Sequence, residues 1–311
     1  MNDIPSGTIL LTGPTGGLGK AATLAIARRP PSNRPDLLLV GRPGRALTDV
    51  AEEARSVGAT VHEIGCDLSR LSDVRSAGST VKSLLDADAV RPLRGIVANA
   101  GLSVADTHTA SADGYELTFA VNYLAHAQLI GALVDSLAKP SRVVLVGSNT
   151  YYQNIFRRLL RVPPAHWRDP LELARPTAAD VPSTFEKCGI AYSNSKLALF
   201  YYAHELQRRA PEGINVTVFE PGFMPGTGLS RAHGPGVQRV GRLIERIPGV
   251  SSPRGSGPAL ASIVLDRRFE HLRDGAFVVK TQERPVKPFA QDRQRETRLW
   301  EATAELLHAA K

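Results

Sequence analysis

The chain has 311 residues, 42 % of them hydrophobic and 22 % charged, which is the composition of an ordinary globular protein. That length can bury a large core, and we expect a single α/β domain over residues 1–311. Lysine and arginine number 38 against 30 acidic residues, for a net charge of +8. The arginines are scattered, without interleaved aromatic residues or a reading helix, so we expect no nucleic-acid partner.

Two cysteines, Cys66 and Cys188, stand far apart without CxxC spacing. Their number and spacing exclude a disulfide framework and argue against a metal site. No apolar run reaches the roughly 18 residues that span a bilayer, and the first residues do not resemble a signal peptide. We therefore expect a cytoplasmic protein with no integral membrane segment.

Short apolar, β-branched runs alternate with helical patterns, which is typical of a parallel sheet covered by helices on both faces. The predicted strands are seven, over residues 8–12, 36–40, 59–65, 94–98, 142–147, 214–219 and 276–279. The predicted helices cover residues 18–28, 45–57, 71–87, 113–137, 191–210, 254–266 and 292–309. This alternation predicts a doubly wound, mainly parallel sheet of Rossmann type.

A glycine-rich turn runs from Thr12 to Gly19, between the first strand and the first helix. Its glycines at 13, 17 and 19 let the backbone approach a pyrophosphate, and the following helix offers its positive N-terminal end. The spacing differs from GxGxxG, so the turn indicates dinucleotide binding only together with residues further along the chain. Thr15 and Leu18 complete the predicted contact surface of the turn.

Two long segments interrupt the alternation, and ligand sites gather where loops project from the carboxyl ends of the strands. Residues 149–189 carry Trp167 and a basic cluster of Arg157, Arg158 and Arg161. Residues 223–252 carry an apolar stripe at helical spacing, formed by Val240, Leu243, Ile244 and Ile247. We expect both segments to wall the substrate cleft. For the stripe, a helix packed on the core is the alternative to a lid or a membrane-surface contact.

Tyr192 and Lys196 are four residues apart on a predicted helix, so both side chains project from one face. A tyrosine with an ordinary pKa of ~10 is a poor acid–base catalyst at neutral pH, and a neighbouring ammonium favours its phenolate. Ser148, at the end of the fifth predicted strand, supplies a hydroxyl donor. Each residue alone has a structural alternative, such as a strand-end cap for Ser148 or an interface aromatic for Tyr192.

Taken in order, these residues resemble the short-chain dehydrogenase/reductase family over nearly the whole chain. The matching residues are Thr12–Gly13 to Gly19, Asp67, Asn99–Ala100–Gly101, Asn122, Ser148, Tyr192 with Lys196, and Pro221–Gly222. The resemblance implies hydride transfer, with a tetrad of Asn122, Ser148, Tyr192 and Lys196 beneath a nicotinamide ring. It implies that Tyr192 is the acid, that Ser148 stabilises the reacting oxygen, that Lys196 binds the ribose, and that Asn122 holds a water.

The end of the second predicted strand, Gly41–Arg42, selects the cofactor. No carboxylate stands there to accept hydrogen bonds from the ribose hydroxyls of NAD, whereas Arg42 can pair with the 2′-phosphate of NADP. Arg42 therefore predicts NADP(H); Arg45 can share the role, and a solvated loop arginine is the alternative. Asp67 and Leu68 are expected at the adenine. Thr227 is expected at the nicotinamide carboxamide, although its spacing from Gly222 departs from the commonest family pattern.

A looser resemblance, mainly in the C-terminal half, is to the branch that contains light-dependent protochlorophyllide reductases and retinol-dehydrogenase-like enzymes. It implies a bulky, largely apolar small-molecule substrate, reduced at a carbonyl or, as the alternative, at a conjugated C=C bond. A protein that binds NADP(H) without turnover, as a sensor or scaffold, is the alternative of another class. Family members often pair through the helices that hold Asn122 and Tyr192, so a homodimer is possible unless residues 149–189 cover that surface.

Overall fold

An eight-stranded sheet, in the order β3-β2-β1-β4-β5-β6-β7-β8, forms the centre of the fold. The computed structural model of the protein describes residues 6–153, 158, 163–222, 224 and 251–310. The strands are β1 (Thr8–Thr12), β2 (Asp36–Gly41), β3 (Val61–Gly65), β4 (Leu93–Ala98), β5 (Ser141–Val146), β6 (Ile214–Glu220), β7 (Ala276–Val279) and β8 (Gln282–Arg284). Strands β1 to β7 pair in parallel, and β8 pairs antiparallel with β7.

The predicted fold class is confirmed, but the sheet has eight strands instead of the predicted seven. The seven predicted strands are all present, and the additional one is the edge strand β8. Its three residues, Gln282–Arg284, are all exposed and none is apolar. Such a strand leaves no hydrophobic run in the sequence, because it forms only by pairing with β7 after the chain has turned back.

Helices cover both faces of the sheet. They are α1 (Gly17–Ala27), α2 (Arg45–Ser56), α3 (Leu71–Asp86), α4 (Leu117–Phe119), α5 (Ala125–Leu133), α6 (Pro170–Leu173), α7 (Phe185–Arg209), α8 (Pro253–Leu265) and α9 (Arg293–Ala309). Helices α1, α2 and α8 contribute to one hydrophobic cluster, and α3, α5, α7 and α9 contribute to the other. Successive strand residues alternate between the two clusters, as Leu10 and Leu11 show.

A π-helical turn, Ala120–Leu124, joins α4 to α5. The continuous helical segment Leu117–Ser136 has the length and apolar composition of a membrane span, but 72 % of its apolar window is buried inside the fold. Apolar side chains on every face are expected for a helix at the centre of a core. The segment is therefore weak evidence for a membrane span.

Part of the surface of α7, one of the two helices at which the family resemblance places a homodimer contact, is covered by other parts of this chain. Trp300 of α9 stacks on Tyr202 of α7, with ring centroids 5.5 Å apart and an interplanar angle of 13°. Trp167, from the long segment 149–189, meets Tyr201 edge to face with centroids 4.8 Å apart. The α9 helix and part of the 149–189 segment thus pack on α7.

Candidate active site

The glycine turn leaves no room for side chains. Gly13 and Gly17 have φ values of +67° and +50°, a region that favours glycine. A Cβ on Gly19 would lie 2.0 Å from the carbonyl oxygen of Gly13, and one on Gly13 would lie 2.9 Å from Cα of Ala100. The helix α1 that follows has no side-chain cap and no acidic residue in its first turn. Its N-terminal N–H groups are therefore available to an anion.

The hydroxyl of Thr12 links the turn to the end of β4. Its Oγ1 accepts hydrogen bonds from the backbone N–H groups of Asn99 and Ala100, both at 3.0 Å. The Asn99 side chain binds the turn in the opposite direction: its Nδ2 donates to the carbonyl oxygens of Thr12 at 2.9 Å and Gly13 at 3.1 Å. The predicted cofactor residues at 12–13 and 99–100 therefore form one hydrogen-bonded unit.

Asn122 lies in the π turn and is fully buried. Its Oδ1 accepts from the Leu102 N–H at 2.8 Å, and its Nδ2 donates to the Leu102 carbonyl at 2.9 Å. Nδ2 also donates to Oγ of Ser195 at 3.0 Å, and Ser195 in turn donates to the carbonyl of Tyr192 at 2.7 Å. The carboxamide thus fastens the loop after β4 to the helix that carries Tyr192. A water held by Asn122 would have to meet an oxygen atom, since both Nδ2 hydrogens are used.

Lys196 and Tyr192 lie on one face of α7, as their spacing predicts. The Lys196 Nζ is 5.8 Å from the centroid of the Tyr192 ring and donates to the carbonyl of Val146 at 2.8 Å. Burial lowers the pKa of Lys196 to about 8, and the Glu220 carboxylate opposes this effect. A Cβ on Gly101 would lie 3.2 Å from Oδ1 of Asn122 and 3.6 Å from Nζ of Lys196. The structure therefore brings together Gly101, Asn122, Lys196 and Tyr192.

Ser148 lies just beyond β5 and is partly exposed, with its Oγ accepting from the Thr150 N–H at 3.3 Å. Beside it, the buried carboxylate of Glu220 at the end of β6 accepts from the Asn149 N–H at 2.6 Å and from the Gly222 N–H at 3.1 Å. Glu220 therefore joins the loops that follow β5 and β6. It also places a negative charge near Lys196.

The adenosine side of the predicted site lies at the ends of β2 and β3. Arg42 follows β2, is exposed and has no ion-pair partner among the described residues. Its neighbour Gly41 packs near Pro14 of the glycine turn, since a Cβ there would lie 3.4 Å from the proline ring. Asp67 accepts hydrogen bonds from the backbone and hydroxyl of Ser69, and Leu68 is buried.

The nicotinamide side is described only in part. Pro221 is buried and accepts a hydrogen bond from the Ser256 hydroxyl at 2.7 Å, and Gly222 has a φ of +88°. Thr227 and the apolar stripe from Val240 to Ile247 lie outside the described residues. Arg157 and Arg161 lie outside them as well, whereas Trp167 packs on α7.

Three residues of this site were not predicted from the sequence: Ser195, Glu220 and His126. His126 is buried; its Nδ1 lies 3.1 Å from the Asn122 carbonyl oxygen, and its Nε2 lies 3.0 Å from Oγ1 of Thr12. Because a carbonyl only accepts, Nδ1 carries the proton, and Nε2 accepts from the Thr12 hydroxyl. Burial lowers the pKa of His126 to about 4, so the neutral form persists at neutral pH. Only Ser195 had a local signal, because it lies between Tyr192 and Lys196.

The residues present fit a dinucleotide. The glycine turn forms a cradle that any Cβ at Gly13 or Gly19 would fill, and α1 begins there without a cap of its own. The cradle would hold the diphosphate, Arg42 and Asp67 would meet the adenosine half, and Lys196 with Tyr192 would meet the nicotinamide half. No group of three His, Cys, Asp or Glu side chains suited to a metal occurs in the part of the chain described here.

The comparisons with known proteins agree with this geometry. A family model described as short chain dehydrogenase matches residues 7–157. Protochlorophyllide reductase A of Hordeum vulgare is 30 % identical over 278 residues, covering 84 % of this chain and 69 % of that protein. The chain belongs to the short-chain dehydrogenase/reductase family.

Two further similarities are informative. A proposed daunorubicin C-13 ketoreductase of Streptomyces sp. (strain C5) is 33 % identical over 220 residues, covering 70 % of this chain and 66 % of that protein, so the match spans slightly less than two thirds of that relative. The structure of a blue fluorescent protein from a metagenomic library in complex with NADPH aligns with a TM-score of 0.62 at 19 % identity, covering 88 % of this chain and 96 % of that one. At that identity the structural likeness shows the fold alone.

Proposed function

We propose that this protein transfers hydride between NADP(H) and a carbonyl or alcohol of a bulky, largely apolar small molecule, with Tyr192 as the acid and base. The observation that carries the proposal is the buried ammonium of Lys196, 5.8 Å from the Tyr192 ring on the same helix face. The dinucleotide, when bound, supplies a hydride at nicotinamide C4. All other chemistry belongs to the side chains of the protein.

Tyr192 donates its phenolic proton to the substrate oxygen on which negative charge develops. The positive charge of Lys196 stabilises the phenolate that results, and burial strengthens that interaction. The Ser148 hydroxyl, on the neighbouring strand end, supplies a second donor to the same oxygen. Asn122 positions these groups through Ser195 and thereby keeps α7 in register with the loop after β4.

The Tyr192→Phe substitution tests the acid–base role. We expect turnover to fall by about 10²- to 10⁴-fold, the range of general acid catalysis, while the Kd for NADPH changes little. Tyr202→Phe is the matched control, because it removes a hydroxyl from the same helix. The hydrogen bond of that hydroxyl to the Ala127 carbonyl is long, at 3.4 Å. If Tyr192→Phe retains full turnover, the acid–base assignment is wrong. A wild-type protein that binds NADPH but turns over no substrate favours the sensor or scaffold.

Cofactor choice is tested separately by fluorescence titration with NADPH and NADH. We propose a preference for NADPH because the exposed Arg42 has no ion-pair partner in the described structure, and Gly41 before it packs near Pro14 of the glycine turn. Arg42→Ala should weaken NADPH binding about tenfold or more and leave NADH binding nearly unchanged. Arg45→Ala reports whether the second arginine shares the 2′-phosphate. Tighter binding of NADH by the wild-type protein would refute the assignment.

The proposed substrate class rests on the similarity to two kinds of enzyme, a ketoreductase and the protochlorophyllide reductases. The ketoreductase likeness supports a carbonyl on a bulky ring system, and the protochlorophyllide reductase likeness supports a conjugated C=C bond as a second candidate. NADPH consumption across bulky ketones, aldehydes and conjugated enones, with products identified by mass spectrometry and NMR, distinguishes the two. Products reduced only at C=C bonds would favour the second candidate.

A further inference from the structure

Helices α1 and α8 run parallel, with their first turns side by side. A Cβ on Gly257 would lie 2.5 Å from Cβ of Ala21, and these residues are the fifth of α8 and the fifth of α1. Just beyond the other ends, Arg29 and Asp266 form an ion pair at 2.7 Å. The two positive N-terminal ends therefore lie at the same edge of the sheet, where β1 leads into the glycine turn.

The first turn of α8 also contacts the end of β6. The Ser256 hydroxyl donates to the Pro221 carbonyl at 2.7 Å. Just before the helix, Ser251 is 4 % exposed, and a Cβ on Gly222 would lie only 2.0 Å from its Oγ. The Ser251 hydroxyl thus occupies the space above Gly222 that a side chain would otherwise fill.

This hydroxyl has no hydrogen-bond partner among the residues that the structure describes. A buried hydroxyl without a partner is costly, and one that occurs in a native protein needs an explanation, such as a bound ion or water. The Ser252 side chain caps α8 by accepting from the Gly255 N–H at 3.4 Å, and Pro253 has no N–H, which leaves the Arg254 N–H as a donor in the first turn. That turn contains no acidic residue and carries the exposed cation Arg254, which the helix dipole alone would disfavour. An anion at this end would satisfy both the hydroxyl and the cation.

We infer that the Ser251 hydroxyl and the N-terminal end of α8 form a second half of the diphosphate site, beside the glycine turn. The inference rests on the proposed NADP(H) binding and adds a second anion-binding element to it. A diphosphate carries two phosphate groups, and the paired helix ends present a positive pole to each. Ser251 donates its hydroxyl to a phosphate oxygen and thereby gains a hydrogen-bond partner.

Ser251→Ala tests the inference by two measurements on the purified protein, neither of which needs a substrate. We expect the Kd values for NADPH and NADH to rise by a similar factor, about five- to tenfold, because both dinucleotides contain the diphosphate. We expect the unfolding midpoint of the cofactor-free protein to stay unchanged or to rise, since the variant removes an unsatisfied buried hydroxyl.

Two control variants separate this role from others. Ser256→Ala removes a hydroxyl that is already bonded to Pro221, so it should lower the stability of the cofactor-free protein and leave both affinities within about twofold. Arg42→Ala should affect NADPH alone. If the wild-type protein binds both dinucleotides and Ser251→Ala changes the Kd values by less than about twofold, this inference is wrong and the proposed function is unaffected. A wild-type protein that binds neither dinucleotide overturns the proposed function as well.

Discussion

His126 of α5, buried beside Thr12 at the end of β1, should make the stability of the protein depend on pH. The imidazole of His126 is 1 % exposed and bonds to the Thr12 hydroxyl and the Asn122 carbonyl. Burial is the main cause that lowers its pKa from 6.5 to about 4, and the nearby charge of Lys196 acts in the same direction. We consider His126→Gln, which stays neutral at every pH at which the protein is folded.

The magnitude follows from the difference in proton binding. Between about pH 6.5 and pH 4 the unfolded chain protonates this histidine and the folded protein does not. As far as His126 determines it, the free energy of unfolding is therefore at its maximum above pH 6.5 and decreases as the pH falls towards 4. Each pH unit in that window is worth about 1.4 kcal/mol, so the wild-type protein loses about 2 kcal/mol between about pH 7 and pH 5 through His126 alone.

Urea unfolding at about pH 7 and pH 5 measures this effect. His126→Gln should be less stable than the wild type at about pH 7, by roughly 1–3 kcal/mol, because buried hydrogen-bonding groups lose a partner. The difference in unfolding free energy between the two proteins should then shrink by about 2 kcal/mol at about pH 5, because only the wild type carries the histidine. Carboxylates such as Asp36 affect both proteins alike, so the difference reports on position 126. His166→Gln, at an exposed position, is the control and should show no such change. A gap that stays constant to within about 0.5 kcal/mol would refute a neutral buried His126.

Three further substitutions test other parts of the structure. Gly19→Ala places a Cβ 2.0 Å from a backbone oxygen of the glycine turn, so we expect about 1–3 kcal/mol of destabilisation and at least tenfold weaker NADPH binding by fluorescence; unchanged affinity would contradict the cradle. Glu220→Gln removes the charge that supports the Lys196 ammonium, so the pKa of Lys196 should fall below about 8 and the alkaline limb of the pH–rate profile should move to lower pH. An unshifted profile would show that this carboxylate does not act on Lys196. Trp300→Ala removes the ring stacked on Tyr202 and should cost about 2–4 kcal/mol in urea unfolding without changing the Kd for NADPH.

The strand pattern was predictable because strands buried on both faces appear as apolar runs, and β1 begins and ends where the sequence indicates. The edge strand β8 was not, since its residues are exposed. The helix that carries Tyr192 begins at Phe185, six residues before the predicted start at 191, because Thr184 caps it by accepting from the Lys187 N–H at 3.2 Å. That cap lies in a stretch with no helical apolar period, so the sequence did not indicate it.

In the site, the sequence by itself determined the groups whose chemistry depends on local spacing. The glycines of the turn and the pair Tyr192 and Lys196 act through backbone conformation and helix periodicity, which neighbouring residues specify. Only the tertiary structure decided the protonation of His126, whose partners Thr12 and Asn122 come from a strand and a π turn, and the role of Glu220 between two strand ends. Burial and hydrogen-bond satisfaction depend on which distant segments meet. For the same reason, the sequence does not show that the Ser251 hydroxyl is buried against Gly222 without a hydrogen-bond partner among the described residues, because Gly222 follows a different strand.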